Sequence, residues 1–234
     1  MRAREVSLGT LLKEADIAYQ DGLPSPLSDA QFDELARRCG YESMVTPELL
    51  SLQNAIDPDE LQQWLNDRGN PVVWCEVKCD GVAALVTYED DTATAIRTRR
   101  QERSAAIAHL PHLPGFTGRV KGELWSERGR PWAAGRIRAN DTAAGVRFML
   151  HCADASEHAS APEQHRSPWS ATLHGAAQII EAWDAWRNGE LPLGSMPTDG
   201  LVISVADPSA RAELGSSKRV PLFALALKGG QARP

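Results

Sequence analysis

The chain has 234 residues, of which 42% are hydrophobic and 24% are charged, proportions typical of a globular protein with one sizeable buried core. The formal net charge of -6 argues against a protein that coats nucleic acid through bulk electrostatic attraction. No apolar run approaches the roughly 20 residues of a membrane span, and the N-terminal residues lack the apolar core of a signal peptide. We therefore expect a cytoplasmic protein without a membrane partner.

Two helices are predicted near the N-terminus. Leucine and alanine recur at helical spacing over residues 7–20, and a segment rich in glycine and proline follows at 21–26. Ser28 and Gln31 have the spacing of a capping box, which predicts a second helix that ends near Arg38.

The chain is predicted to divide into a small helical appendage, residues 1–45, and a main domain, residues 46–234. In the main domain, Asp57 as N-cap and Pro58 at the first helical position predict a helix that ends near Asn66. Short strands are then predicted over residues 72–79, 82–88, 92–98, 119–125, 146–152, 200–205 and 222–228.

Two further segments lie between these strands. Residues 173–187 carry apolar side chains at helical spacing and predict a helix. Residues 154–170, rich in alanine, serine, proline and histidine, are predicted to be a mobile surface loop. Helices and strands without regular βαβ alternation indicate the α+β class.

The four cysteines and six histidines do not predict a metal site, because there is no Cys-x-x-Cys pair and the histidines form no cluster. Cys75 and Cys79 lie in an apolar segment and are predicted to be buried free thiols on one face of a strand.

The segment Glu76-Val77-Lys78-Cys79-Asp80-Gly81 is the most informative in the chain. Side chains alternate faces along a strand, so Glu76, Lys78 and Asp80 share one face. The flanking residues are too apolar for a solvated edge strand, and burying such charges costs free energy unless they are paired or used. A structural ion pair and a catalytic site are both consistent with this segment alone.

Three later segments follow in a recognisable order. They are Lys121-Gly122-Glu123-Leu124-Trp125, Thr198-Asp199-Gly200-Leu201-Val202-Ile203 and Leu225-Ala226-Leu227-Lys228. Together with Lys78-Cys79-Asp80-Gly81, they resemble the motifs of covalent nucleotidyltransferases, the superfamily of polynucleotide ligases and capping enzymes. The resemblance implies a nucleotidyltransferase fold, in which two antiparallel sheets enclose a nucleotide cleft.

The N-terminal part resembles the NMN-binding region of bacterial NAD-dependent DNA ligases. Tyr19, Asp29 and Asp33 match that pattern, whereas Gln20 stands for a histidine and Phe32 for a tyrosine. ATP-dependent ligases lack this region, so the resemblance implies NAD as cosubstrate. The three matching residues would hold the departing nicotinamide ribonucleotide.

A short segment before the third helix also resembles these ligases. Leu49-Leu50-Ser51-Leu52-Gln53-Asn54-Ala55 is similar to their Leu-Ser-Leu-Asp-Asn segment, which lies beside the adenosine. Ser51 and Leu52 are therefore predicted to contact the cofactor. The resemblance covers the chain from about residue 10 to Lys228.

The resemblance implies a role for each motif residue. Lys78 would attack the adenylyl phosphorus of NAD, expel NMN and form lysyl-AMP, after losing a proton whose ordinary pKa is about 10.4. Lys228 would neutralise charge on the transferring phosphate. Glu76 would read the adenine amino group. Asp80 and Glu123 would hold ribose hydroxyls or metal-bound water, Asp199 and Glu123 would place Mg²⁺ or Mn²⁺, and Gly81 and Arg99 would contact the nucleotide.

Basic residues cluster after two of the predicted strands. They are Arg97, Arg99, Arg100 and Arg103 after the first, and Arg128, Arg130, Arg136, Arg138 and Arg147 after the second. One interpretation is a solvated, charge-balanced surface. Their position after two proposed active-site strands favours the other, a phosphate-binding strip beside the site.

The sequence departs from these ligases at two places. Ser204 stands where they usually carry a lysine that contacts the nucleotide phosphate. The motif at Lys228 is normally followed by an oligonucleotide-binding barrel and by zinc, helix-hairpin-helix and BRCT modules, none of which we expect within these residues. A separate DNA-binding module or protein could then supply the grip on nicked duplex.

Three functions are consistent with the sequence. The first is a minimal NAD-dependent DNA ligase, or its catalytic domain, that transfers AMP to a 5′-phosphate end or nick. The second is an NAD-dependent RNA ligase or another adenylyltransferase. The third is a nucleotide-binding protein without chemistry, against which the retained motif residues argue.

Overall fold

The computed structural model describes residues 8–20, 26–27, 29–41, 49–98, 113, 116–126, 146–152, 154–217 and 220–229. The helices are α1 (Leu8–Gln20), α2 (Asp29–Cys39), α3 (Pro58–Asn66), α4 (Ala155–Ser160), α5 (Gly175–Arg187) and α6 (Pro208–Leu214). The strands are β1 (Gln53–Ala55), β2 (Val72–Cys79), β3 (Val82–Glu89), β4 (Thr92–Thr98), β5 (Gly118–Ser126), β6 (Val146–Leu150), β7 (Ser170–His174), β8 (Thr198–Val205) and β9 (Ala224–Leu227).

The strands form two sheets. Sheet A has the strand order β1-β9-β8-β2-β7, and sheet B has the order β4-β3-β5-β6. Every pair is antiparallel except β1 with β9, which is parallel. The predicted mixture of helices and antiparallel sheets is confirmed. The chain passes from sheet A to sheet B through the short turn between β2 and β3.

Sheet A buries one face against α3 and α5. Trp183 and Ile179 of α5 and Leu61 of α3 are fully buried there against apolar side chains of β2, β8 and β9. Asp57 caps α3 as predicted, because its Oδ1 accepts a hydrogen bond from the Glu60 N–H at 2.9 Å. Strand β2 lies next to the edge strand β7, and its opposite face carries the candidate site.

Helices α1 and α2 pack against each other through a small apolar cluster. Leu12, Ala15, Phe32 and Ala36 are fully buried, and the Phe32 ring meets Tyr41 edge-on at 5.9 Å. Phe32 is therefore a core residue of this helix pair, so that a phenylalanine suits the position where the resembled ligases carry a tyrosine. The proposed capping serine, Ser28, lies outside the described residues.

The prediction of a mobile loop at residues 154–170 is wrong. Asp154 caps α4 through Ser156 and Glu157, and Arg211 pairs with Asp154 at 3.1 Å. A short 3₁₀ turn follows at Glu163–His165, and the His165 Nδ1 lies 2.7 Å from the Phe148 carbonyl. Hydrogen bonds between side chains and the backbone order this segment. Such bonds do not require a hydrophobic periodicity, so the sequence pattern did not reveal them.

Several element boundaries also differ from prediction; β8 begins at Thr198 rather than at 200, and β9 spans only Ala224–Leu227 rather than 222–228. The residues before Gly175 belong to the unpredicted strand β7, so the helix begins at Gly175 and not near 173. Strand β6 ends at Leu150. In the described part of the chain, no helix is long and apolar enough to cross a membrane.

Candidate functional site

Strand β2 carries the candidate nucleophile. Cys75 and Val77 are fully buried in the core of sheet A, while Glu76 and Lys78 point to the opposite face, as the alternation predicts. Cys79 is buried too, but it packs with Trp125 and Met149 of sheet B because the strand register shifts between Lys78 and Cys79. Strand β2 thus leaves the core of sheet A at Lys78, whose amine is the candidate nucleophile.

Lys78, Asp199 and Lys228 form a lysine–aspartate cluster. The Lys78 Nζ donates to Asp199 Oδ1 at 2.8 Å, and the Lys228 Nζ lies 3.1 Å from Asp199 Oδ2. The three side chains are 22%, 32% and 36% exposed, in chain order of Lys78, Asp199 and Lys228. One carboxylate therefore holds two ammonium groups from two strands at a partly solvated position.

A β-bulge brings Asp199 to this position. Lys78 pairs with Gly200 and Cys79 with Thr198, so Asp199 is the extra residue on β8. Gly200 has a φ of +157°, and a Cβ there would overlap the Leu227 carbonyl of β9. Only glycine lets β9 approach closely enough for Lys228, the residue after its last one, to reach the same carboxylate.

The end of β9 is anchored at two backbone groups, the Lys228 N–H and the Gly229 carbonyl. The Lys228 N–H donates to the Ala55 carbonyl at 2.8 Å. The Arg187 guanidinium stacks on Trp183 at 4.0 Å and donates through Nε to the Gly229 carbonyl at 2.7 Å. Ser51 and Leu52, the predicted adenosine contacts, precede β1, which pairs with β9, and both are partly exposed.

Asp80 and Gly81 form the turn between the sheets. The Asp80 N–H donates to the Pro197 carbonyl at 2.8 Å. Burial raises the pKa of the half-buried Asp80 carboxyl, and the Asp199 and Glu123 carboxylates add to this, whereas Lys78 and Lys228 oppose it. A Cβ at Gly81 would overlap the Leu124 carbonyl of β5. The five predicted catalytic residues are therefore close enough to influence one another electrostatically.

Glu123 on β5 has a partner that was not predicted. The His151 Nε2 lies 3.4 Å from Glu123 Oε2. Glu123 pairs directly with Met149, so His151 is its diagonal neighbour on the same face of β6 and its continuation. The sequence alone could reveal this contact only if the pairing register of β5 and β6 were known.

Glu76 lies deeper than the lysine–aspartate cluster. It is 4% exposed, and its Oε2 has no hydrogen-bond partner among the described residues. Burial raises the pKa of the Glu76 carboxyl to about 8. Ser204, opposite Trp74 on the same sheet face, is also buried and supplies no charge there.

The carboxylates suit a metal that takes part of its shell from substrate. The described residues contain no group of three or more histidine, cysteine, aspartate or glutamate side chains arranged to hold a metal by themselves. Mg²⁺ commonly binds one or two carboxylates and completes its shell with water and phosphate oxygens. The metal-binding role of Asp199 and Glu123 stays a prediction.

Several predicted site residues lie outside the described residues. The backbones of Tyr19, Asp29 and Asp33 belong to α1 and α2, but their side chains are not described, and neither is Arg99. Of the arginines in the predicted phosphate strip, Arg97 and Arg147 are described; both are exposed.

No protein-family model matches the sequence. A curated DNA ligase of Synechococcus sp. strain JA-2-3B'a(2-13) is 24% identical over 97% of this chain and 46% of its own length. A curated DNA ligase of Corynebacterium aurimucosum is 25% identical over 90% of this chain and 42% of its own length. The chain thus spans about half the length of the curated relatives it matches.

Similar solved structures include an ATP-dependent DNA ligase from bacteriophage T7 in complex with ATP. It is 11% identical, covers 80% of this chain and 67% of its own, and superposes with a TM-score of 0.43. The sequence similarities relate the chain, at low identity, to DNA ligases over nearly its whole length.

Proposed function

We propose that this chain is the adenylation unit of an NAD-dependent polynucleotide ligase. It takes AMP from NAD onto Lys78, releases NMN and transfers the AMP to a 5′-phosphate end of nucleic acid. The small helical appendage, residues 1–45, binds the NMN half of the cosubstrate, and residues 46–234 carry out the chemistry.

The lysine–aspartate cluster is the observation that carries this proposal. A structural ion pair needs one cation for one carboxylate, but here two lysines from separate strands converge on Asp199. The arrangement depends on a bulge and on a glycine at Gly200, which a simple surface ion pair would not require. Two partly exposed ammonium groups side by side suit a substrate phosphate.

The first step forms a bond between the Lys78 Nζ and the adenylyl phosphorus and breaks the phosphorus–oxygen bond to NMN. The amine must be neutral when it attacks, so it passes a proton to solvent water, which reaches the partly exposed Lys78 side chain, and NMN leaves with the electron pair of the broken bond. The positive charge of Lys228 stabilises the negative charge that builds on the phosphate oxygens. In the second step a 5′-phosphate oxygen attacks the same phosphorus, and the amine of Lys78 leaves.

A divalent cation would be held by Asp199 and Glu123. When bound, Mg²⁺ or Mn²⁺ supplies positive charge that stabilises the transferring phosphoryl group. Asp80 holds a ribose hydroxyl or a metal-bound water. Glu76 contacts the adenine amino group, since its buried carboxyl has an oxygen without a hydrogen-bond partner among the described residues.

NAD and nucleic acid enter the proposal on different grounds. NAD rests on the match of Tyr19, Asp29 and Asp33 to the NMN-binding pattern and on the packed pair of α1 and α2. The nucleic-acid acceptor rests on the similarity to proteins named DNA ligase.

The test is incubation with NAD and Mg²⁺, read by intact mass, with ATP in parallel. The expected result is a gain of one AMP from NAD, lost in Lys78→Ala and retained in Lys13→Ala, which changes an exposed lysine of α1. A gain from ATP and none from NAD would contradict the NMN-binding role. No adduct from either nucleotide would favour a binding protein without chemistry.

The acceptor is identified by a second assay with the adenylated protein. Transfer of AMP to a 5′-phosphate in nicked DNA duplex, followed by sealing, would support the ligase function. Transfer to RNA ends alone would support the RNA ligase instead.

A further inference from the structure

One hydrogen bond links helix α5 to the residue that precedes Asp199 in the chain. The Trp186 Nε1–H donates to the Thr198 hydroxyl oxygen at 3.0 Å, and the bond is partly buried. Trp186 also packs against the apolar core between α5 and sheet A. The bond therefore ties the first residue of β8 to a helix that the core holds in place.

Asp199 depends on its two chain neighbours for its position. As the extra residue of a β-bulge, it is left out of the regular pairing of β8 with β2. Gly200 on one side pairs with Lys78, and Thr198 on the other side pairs with Cys79. The conformation of these two flanking residues therefore sets the direction of the Asp199 carboxylate.

Burial of the indole ring does not by itself explain the bond. The indole nitrogens of Trp64 and Trp183 are also buried in this core, and neither has a hydrogen-bond partner among the described residues. The core thus accepts a tryptophan without an acceptor for its N–H. This contrast indicates that the acceptor beside Trp186 has a role at the bulge itself.

The same turn of α5 also holds the segment that carries the second lysine. Arg187 follows Trp186 on the helix, and its Nε donates to the Gly229 carbonyl at 2.7 Å. Gly229 directly follows Lys228 in the chain. Two consecutive residues of one helix thus fix the two segments that bring Asp199 and Lys228 to 3.1 Å from each other.

On the basis of the proposed function, we infer that Trp186 is a positioning residue for adenylyl transfer, because it fixes the Asp199 carboxylate through the Thr198 hydroxyl. Trp186 belongs to the helix on the opposite face of sheet A from the site, so it acts through Thr198 and not on the substrate. A carboxylate that turned away would leave Lys78 and Lys228 without their common partner, and the two ammonium groups would lose their alignment. The bond should therefore affect the rate of the chemical step and not the binding of NAD.

Three substitutions isolate this hydrogen bond. Trp186→Phe keeps an aromatic ring in the core and removes the donor, whereas Thr198→Val keeps the branched shape and removes the acceptor. Thr198→Ser keeps the hydroxyl and tests whether the conservative variant rescues the rate. Thr94→Val, the same change at an exposed residue of β4, is the matched control.

The experiment measures lysyl-AMP formation in a single turnover with Mg²⁺, by intact mass, over a series of NAD concentrations. Trp186→Phe and Thr198→Val should each slow the rate at saturating NAD about tenfold, as expected for one hydrogen bond that acts on the chemical step alone. The NAD concentration that gives half the maximal rate should stay within about twofold of the wild-type value. Thr198→Ser and Thr94→Val should react within about threefold of the wild-type rate. Rates are compared where urea denaturation shows each variant to be fully folded.

The double variant Trp186→Phe/Thr198→Val separates positioning from a general loss of packing. If the two residues act through their shared bond, the double variant should be no slower than the slower single variant. Multiplied effects would overturn the inference, because the two changes would then act independently. A Thr198→Ser rate as low as that of Thr198→Val would overturn it as well, and so would an effect confined to the half-maximal NAD concentration.

These outcomes are separable from failure of the proposed function. A wild type that gains AMP from NAD, together with a Trp186→Phe variant that reacts at the full rate, would overturn the inference and leave the proposed function standing. A wild type that gains no AMP from NAD would overturn the proposed function and, with it, the inference.

Discussion

The lysine–aspartate cluster differs in how it accommodates charge from the buried end of the candidate site, which we call the site floor and which consists of Trp74, Glu76 and Ser204. In the cluster, Asp199 meets two lysines, and all three side chains remain partly in contact with solvent. At the floor, Glu76 is almost wholly buried, and none of the lysines and arginines that the structure describes forms an ion pair with it. Both belong to one face of the same sheet, and Lys78 and Glu76 are only two residues apart on β2.

The difference shows that burial and ion pairing decide whether a titratable side chain on a strand stays charged. A partly exposed carboxylate between two ammonium groups keeps its charge at modest cost. A buried carboxyl without such a neighbour takes up a proton instead, because its ionised form loses its hydration. The cluster thus favours an anionic group, whereas the floor disfavours any further charge.

Asp199→Asn removes the charge that joins the two lysines and should have the largest effect. We expect the rate of lysyl-AMP formation to fall by about 10²–10³, the usual cost of one preorganised electrostatic contact at a reacting group. The free energy of unfolding should change by less than about 1 kcal/mol, since the pairs are partly exposed. Asp184→Asn, on an exposed pair with Arg187, is the control and should keep the rate. If lysyl-AMP formed at a rate within tenfold of the wild type, Asp199 would have a structural role and not a catalytic one.

Gly200→Ala tests whether the cluster depends on the close approach of β8 and β9. The new Cβ would overlap the Leu227 carbonyl, so the free energy of unfolding should fall by roughly 2–4 kcal/mol and adduct formation should fall with it. Urea denaturation measures the first effect. Gly9→Ala, at an open position in α1, should stabilise the protein by up to about 1 kcal/mol. Equal stability of Gly200→Ala and the wild type would rule out the steric explanation.

Burial of Glu76 should make the free energy of unfolding depend on pH. The unfolded chain releases this proton above about 4.3, whereas the folded protein keeps it until about 8. The folded state binds more protons between these values, so its free energy of unfolding should fall as the pH rises through that window, by an amount on the order of a few kcal/mol. Glu76→Gln should lack this slope. Parallel curves from urea denaturation over the pH series would contradict burial as the cause.

Arg187→Ala should have the smallest effect, because it acts on Lys228 through the backbone at Gly229. Losing the bond to the Gly229 carbonyl and the stacking on Trp183 should cost about 1 kcal/mol of stability. Adduct formation should slow by a few-fold, since Lys228 is held less firmly. Arg37→Ala, which breaks only an exposed pair with Glu34, is the control for both readouts. Unchanged adduct formation in Arg187→Ala would show that β1 alone holds the end of β9.

Local patterns in the sequence predicted much of the fold. The capped start of α3, the strands β2 to β5 and the shared face of Glu76 and Lys78 follow from turn chemistry and from periodicity within a few residues. The segment at residues 154–170 was missed because its order comes from contacts with Phe148 and Arg211, which are distant or irregular partners.

The sequence by itself determined which residues could do chemistry and which face of β2 they occupy, because side-chain alternation is a local property of a strand. Only the tertiary structure decided that Asp199 stands between two lysines, that His151 meets Glu123, and that Glu76 is almost wholly buried. Each of these depends on strand register, on a bulge or on the segment that covers the site. Those are long-range features, set by how the sheets and helices pack together.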